Sequence, residues 1–208
     1  MIKNIIFDWS GVIKDANESH VWIINEMIKK FGSDRRIDIY ELREIWEQPY
    51  MKFWNKLFVD MTIEEEQKLY KETILDSSCP PCVSYKNIVE VIRNLKNQGR
   101  KMVVLSSDLP DTVLSEIKGY DLENIFNEVV VNIHDKKEEI INLIERNNFN
   151  VEETVFVGDT NLEIEAGKLA GIQTIAVTWG FYAEDRLKAL NPDYIVHSVE
   201  ELENILLK

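Results

Sequence analysis

Hydrophobic positions in this chain fall into short, β-branched runs separated by longer amphipathic stretches. Six runs read as strands: residues 2–7, 102–105, 129–131, 154–157, 174–178 and 194–196. Several are continuously apolar instead of alternating, as parallel strands covered on both faces require. Between them, residues 87–97 place Ile88, Val89, Ile92 and Leu95 on one helical stripe that Gly99 ends. Residues 137–147 do the same with Ile140, Ile141 and Ile144, and a further helix is expected at 111–118. Strands that alternate with helices predict an α/β fold with a doubly wound, Rossmann-like, mostly parallel sheet.

One region breaks the alternation. From residue 17 to residue 75 helical periods dominate, at 21–31, 39–46, 51–59 and 63–75, and no strand is expected. Thr62-Ile63-Glu64-Glu65 reads as a capping box that opens the last of these helices. The stretch holds Trp22, Trp46, Trp54, Tyr40, Tyr50 and Tyr70, and its tryptophans read as core. The expected organisation is an α/β core domain of residues 1–15 and 82–208, with an all-helical domain of residues 16–81 inserted after the first strand. The hinges fall near 14–16 and near Pro80-Pro81.

The chemistry gathers at strand ends. Ile5-Ile6-Phe7 stops on Asp8, Val103-Val104-Leu105 leads to Ser106-Ser107-Asp108, and Val155-Phe156-Val157 leads to Gly158-Asp159-Thr160 and Glu163. In an open parallel sheet all carboxyl ends lie on one edge, where ligands bind. Asp8, Asp159 and Glu163 converging there would repel without a cation, and hard oxygen ligands suit Mg²⁺. Lys136 and Lys137 open the helix after the third run, from the same edge. Mg²⁺, a serine hydroxyl and a lysine form a receptor for phosphate, beside which an Asp carboxylate can attack phosphorus.

Net charge of −13 over 208 residues disfavours nucleic acid and anionic membrane as partners. No apolar run approaches the ~20 residues of a membrane span, and Asp8 cuts short any signal-peptide core, so a cytoplasmic location is expected. Cys79 and Cys82 form a lone "CPPC". Zinc would need two more ligands, and His20, His134 and His197 are scattered, so a stiff turn is the preferred reading.

These residues resemble the haloacid dehalogenase superfamily, whose four motifs can be matched in order. "IIFDWSGVI" is similar to the first, with Asp8 as implied nucleophile. "MVVLSS" is similar to the second, with Ser106. The lysine motif falls on Lys136, with Lys137 as fallback because the usual K-P-x-P spacing is absent. "VGDTNLE" is similar to the fourth, with Asp159 and Glu163. "EAGKLAGIQTIAVTWG" and "PDYIVHSVEEL" resemble the phosphoglycolate-phosphatase-like branch, and the helical insert stands where that branch carries its cap. The resemblance implies a Mg²⁺-dependent hydrolase of a small phosphorylated metabolite, acting through an aspartyl-phosphate on Asp8. It implies Ser106, Ser107, Lys136 and Gly11 at the phosphate, and Asp8, Ser10, Asp159 and Glu163 at the metal. A monomer or homodimer is expected.

Two departures stand out. Glu163 replaces the family's usual Asp. Ser10 occupies the place of the second Asp of the first motif, which in family phosphatases protonates the leaving group and later activates water. Ser10 keeps a backbone carbonyl for the metal but has no carboxyl proton, a loss worth ~10²–10⁴ in rate. Alkoxide leaving groups would suffer most, and acyl phosphates, aryl phosphates and diphosphates least. Other readings of the same Asp remain open. Phosphonoacetaldehyde hydrolases resemble "DWSG" and use a cap lysine, for which Lys52 or Lys56 stand in a suitable stretch. Haloacid dehalogenases need no metal and want an arginine, such as Arg35, Arg36 or Arg43. A weakly active phosphate-binding protein is the third. Trp9 could shape the entrance, Ser106 could cap the helix after its strand, and Asp108 could support the site.

Overall fold

The computed structural model describes residues 1–48, 50–59 and 61–208, and the side chains of Tyr50, Met51 and Ile63 lie outside the description. The chain divides into two compact units, Met1–Asp15 with Ser84–Lys208, and Ala16–Val83.

In the first unit, β1 (Asn4–Phe7) lies at the centre of a six-stranded parallel sheet. The chain resumes after the helical unit with α5 (Ile88–Asn97) and then builds outward on one side through β4 (Lys101–Leu105), α6 (Pro110–Gly119) and β5 (Glu128–Val130). It returns by α7 (Lys136–Arg146) to β6 (Thr154–Gly158) on the other side of β1, then continues through α8 (Asn161–Leu169), β7 (Gln173–Val177), α9 (Glu184–Ala189), β8 (Tyr194–Val196) and α10 (Val199–Leu206). The strand order β5-β4-β1-β6-β7-β8 reverses direction at β1, and such a switch point opens a crevice at the carboxyl edge. All six expected strands are present, within two residues of their anticipated ends.

Side-chain alternation sorts the core into two layers. Ile5 and Phe7 of β1, Met102 and Val104 of β4, and Val155 and Val157 of β6 pack with α5, α6 and α10. Ile6, Val103, Leu105 and Phe156 face the other way, against Ile140, Leu143 and Ile144 of α7 and Ala166 of α8. Both faces are covered, which explains the unbroken apolar runs in the strands. Gly99 ends α5 as anticipated, with φ of 77° and its N–H bonded to the Lys96 carbonyl.

The helical unit comprises α1 (Asn17–Lys30), α2 (Ile39–Ile45), α3 (Tyr50–Leu57) and α4 (Ile63–Ile74), bracketed by two-residue strands β2 (Lys14–Asp15) and β3 (Val83–Ser84). The Thr62–Glu65 capping box forms. Trp46, Phe53, Trp54 and Phe58 are buried and their rings meet in sequence, tilted, edge-on and stacked, with centroids 4.8, 5.2 and 5.6 Å apart, so these tryptophans are core.

Leu143 is fully buried beneath the sheet on α7. Its truncation to alanine is expected to cost about 2–5 kcal/mol of unfolding free energy. Urea denaturation with an unchanged m-value would check this.

Candidate active site

Register brings the strand ends level. Phe7 stands opposite Val104 on one neighbour and Val157 on the other. Asp8 therefore leaves the sheet beside Leu105 and Gly158, one residue before Ser106 and Asp159. The Asp8 N–H continues the ladder to the Val157 carbonyl at 3.0 Å.

At this edge a single ammonium holds two carboxylates. Lys136 Nζ lies 2.8 Å from Asp8 Oδ1 and 2.6 Å from Glu163 Oε1, and Lys136 is 2% exposed. Asp135 caps α7 by accepting the Lys137 N–H, which puts Lys136 at the first helical position, pointing inward. Lys137 points out and pairs with Glu165 at 2.8 Å. Of the two candidate lysines, Lys136 is therefore the one in the site.

Glu163 does two things. Its Oε1 accepts from Lys136, while its Oε2 accepts the Thr160 N–H at 3.1 Å and hydroxyl at 2.7 Å, closing a capping box on α8. Both oxygens are thus committed to protein donors. The helix-capping role of Glu163 and its place in the carboxylate cluster thus coexist.

Asp159 is fully buried, and its Oδ2 accepts the Phe181 N–H at 2.7 Å. Its Oδ1 is buried with no hydrogen-bond partner among the described residues. Two glycines make room for this carboxylate. A Cβ at Gly11 or at Gly180 would lie 2.2 Å from Asp159 Oδ2. Gly11 also has φ of +83°, and its N–H donates to the Lys14 carbonyl, closing the turn after Asp8. Gly180 and Phe181, in the loop after β7, were missed from sequence; the signal was the small residue just beyond a strand end in "TWGF".

Ser106 is buried, but it does not cap α6, whose N-cap is Leu109. Its hydroxyl accepts the Asp108 N–H at 3.1 Å in a local turn, because α6 starts only at Pro110. The Ser107 hydroxyl donates to the Ile133 carbonyl at 2.7 Å. Trp9 is fully buried. It stacks on Tyr120, and its indole N–H donates to Glu116 at 2.6 Å, so it anchors the turn. In the helical unit Lys56 pairs with Glu47 and Arg35 with Glu41, both as surface ion pairs.

Asp8, Asp159 and Glu163 each offer an oxygen within 4.8 Å of the others. Three carboxylates and one ammonium leave two negative charges, which a divalent cation would neutralise. The unpartnered Asp159 oxygen, in a cradle of glycines, suits a hard cation. The donor set fits Mg²⁺.

The charges perturb one another as that balance implies. Burial, opposed by Lys136 and reinforced by Glu163, pushes the Asp8 carboxyl up to about 7. Burial and the charges of Glu163 and Asp8 hold the Asp159 carboxyl well above its ordinary value. Burial acts against ionised Glu163 too, but the Lys136 charge and the bonds from Lys136 and Thr160 outweigh it and lower its value. Burial likewise opposes charged Lys136, yet Asp8 and Glu163 together raise its value and keep it protonated.

Comparison with known proteins agrees with this geometry. The family model for "Haloacid dehalogenase-like hydrolase" matches residues 5–177. Pyrophosphatase PpaX of Bacillus mycoides is 32% identical over 213 residues, covering 99% of this chain and 97% of that one. Phosphoglycolate phosphatase of Synechococcus elongatus is 22% identical over 210 residues, covering 97% and 95%. The solved structure of a haloacid dehalogenase-like family hydrolase from Streptococcus pneumoniae superposes with a TM-score of 0.84 at 19% identity, covering 98% of each chain. The chain belongs to the haloacid dehalogenase-like hydrolase family, as its four motifs indicated, and it is a hydrolase.

The perturbed carboxyls make the metal-free protein pH-sensitive. Asp8 and Asp159 bind protons more tightly folded than unfolded, so the stability they contribute is full below the ordinary carboxylate range. It is lost as pH rises, toward about 7 for Asp8. Glu163 has the opposite sign, contributing above its ordinary value and losing that contribution as pH falls. The melting temperature of EDTA-treated protein should fall between about pH 4 and 7, and Asp8→Asn should flatten the fall. Calorimetry across that range checks this; an unchanged slope in the variant would remove Asp8 as its source.

Proposed function

We propose that this chain is a Mg²⁺-dependent phosphohydrolase that acts on a small phosphorylated metabolite through an aspartyl-phosphate on Asp8. The observation that carries the reading is the Asp8–Lys136–Glu163 bridge beside the unpartnered Asp159 oxygen, all at the carboxyl edge of one sheet.

Asp8, Asp159 and the Ser10 carbonyl would hold Mg²⁺. Bound there, the ion neutralises phosphoryl charge so that an anionic carboxylate can approach phosphorus. Glu163, with both oxygens committed, acts by holding Lys136 in place. Lys136 keeps Asp8 oriented, and its ammonium can donate to a phosphoryl oxygen. The Ser106 hydroxyl accepts from Asp108, so its own proton can reach another phosphoryl oxygen. Asp8 then forms the O–P bond as the leaving group departs, and water cleaves the aspartyl-phosphate. The helical unit takes the place of the family's cap and would select the substrate.

Ser10 decides which substrates suit. With no carboxyl proton for the leaving group, the site favours one that departs readily as an anion. Of the activities carried by the relatives' names, pyrophosphatase meets that demand and hydrolysis of an alkyl phosphate meets it poorly. The lysines that the imine alternative would use, Lys52 and Lys56, are both exposed, and Lys56 pairs with Glu47.

Phosphate release with Mg²⁺ or EDTA tests the reading. Pyrophosphate, acetyl phosphate and p-nitrophenyl phosphate should turn over with Mg²⁺, 2-phosphoglycolate about 10²–10⁴ more slowly, and Asp8→Asn should fall to the EDTA background. Release that persists in the variant would overturn the role of Asp8. A faster rate with phosphoglycolate would overturn the leaving-group argument.

A further inference from the structure

A second buried lysine organises the turn that follows Asp8. Lys14 Nζ lies 3.2 Å from Asp108 Oδ2 and 3.1 Å from Glu116 Oε1, with its side chain 8% exposed. Asp108 Oδ2 also accepts the Ser10 hydroxyl at 2.6 Å, and Glu116 Oε2 accepts the Trp9 indole N–H at 2.6 Å. The backbone is tied to the same place. The Trp9 carbonyl accepts the N–H groups of Ile13 and Lys14, each at 2.9 Å, and the Asp108 N–H bonds the Ser106 hydroxyl. Ser10 thus sits between Asp8 and the Gly11–Asp159 contact, with its hydroxyl rotor locked by a carboxylate that comes from the end of β4.

The direction of that bond has a chemical consequence. A carboxylate beside an ammonium only accepts, so the single Ser10 proton is committed to Asp108. Ser10 Oγ is left as a hydrogen-bond acceptor of fixed orientation, two residues from the proposed nucleophile. Such an oxygen has no proton for a leaving group, but it can hold a water by accepting one of its protons.

We propose that Asp108 is a positioning residue. By accepting the hydrogen bond of the Ser10 hydroxyl it sets Ser10 Oγ to align the water that cleaves the aspartyl-phosphate. The inference rests on the phosphohydrolase reading above. In the step, the water oxygen bonds to phosphorus, the bond from phosphorus to Asp8 oxygen breaks, and its electron pair returns to the Asp8 carboxylate. The water's protons leave with the phosphate product, and neither Ser10 nor Asp108 changes its own proton count. The network therefore serves the second half of the reaction and leaves the first half to the leaving group.

Pre-steady-state kinetics with p-nitrophenyl phosphate and Mg²⁺ separates the halves. In Asp108→Asn and in Ser10→Ala, the nitrophenolate burst should keep its wild-type rate. Steady-state turnover should fall about 10- to 100-fold, and phosphoenzyme should accumulate. Ser10→Thr should restore turnover, and the Asp108→Asn/Ser10→Ala double variant should be no slower than either single change. Burst and turnover falling in proportion, or no change in either, would overturn the inference. If Asp108→Asn does not fold, Ser10→Ala, which keeps the lysine–carboxylate pairs, decides alone. Wild-type protein with no Mg²⁺-dependent release and no Asp8-dependent phosphoenzyme would instead overturn the phosphohydrolase reading itself.

Discussion

The site depends on one buried cation. Lys136 is removed from water almost completely, and an ammonium so placed is tolerable only with compensating charge and satisfied donors. Asp8 and Glu163 supply both. Each of the three residues comes from a different element: the end of β1, the start of α7 and the start of α8. The pairing therefore fixes where two helices begin relative to the central strand. Removing any partner would leave an uncompensated charge in the interior, so the constraint is structural as well as chemical.

A second lysine repeats the arrangement one turn along the chain. Lys14 lies between Asp108 and Glu116 as Lys136 lies between Asp8 and Glu163. Two cations thus share four carboxylates, whereas Asp159 accepts a backbone N–H from Phe181 in the space left by Gly11 and Gly180. That difference leaves its Oδ1 without a hydrogen-bond partner among the described residues. The Ser10 hydroxyl, by contrast, is bound to the Lys14 network through Asp108.

Much of the fold was legible because periodicity is local. Buried parallel strands must be apolar on both faces, and helices must carry a stripe, so all six strands and the main helices could be read from side-chain pattern. The six-residue α9 and the two-residue strands β2 and β3 went unread, since so few residues show no period, and α10 went unread as well. Ser106 misled as a helix cap because its neighbours Ser107 and Asp108 mimic a capping sequence, whereas the helix waits for Pro110. The choice between Lys136 and Lys137 turned on a single residue of helix phase, which the Asp135 cap settles.

Residue type and order along the chain were enough to locate Asp8, Ser106, Lys136, Asp159 and Glu163 and to place them on one edge, because a parallel sheet sends every strand end to the same side. Which atom meets which was another matter. The bonds from Ser10 to Asp108, from Lys14 to Glu116 and from Phe181 to Asp159 join residues 98, 102 and 22 positions apart. No local pattern encodes them, for they arise from how the helices and loops pack around the sheet. The two glycines illustrate the limit: the resemblance implied Gly11 at the phosphate and Gly180 was missed, and their closeness to the Asp159 carboxylate exists only once the strands are side by side.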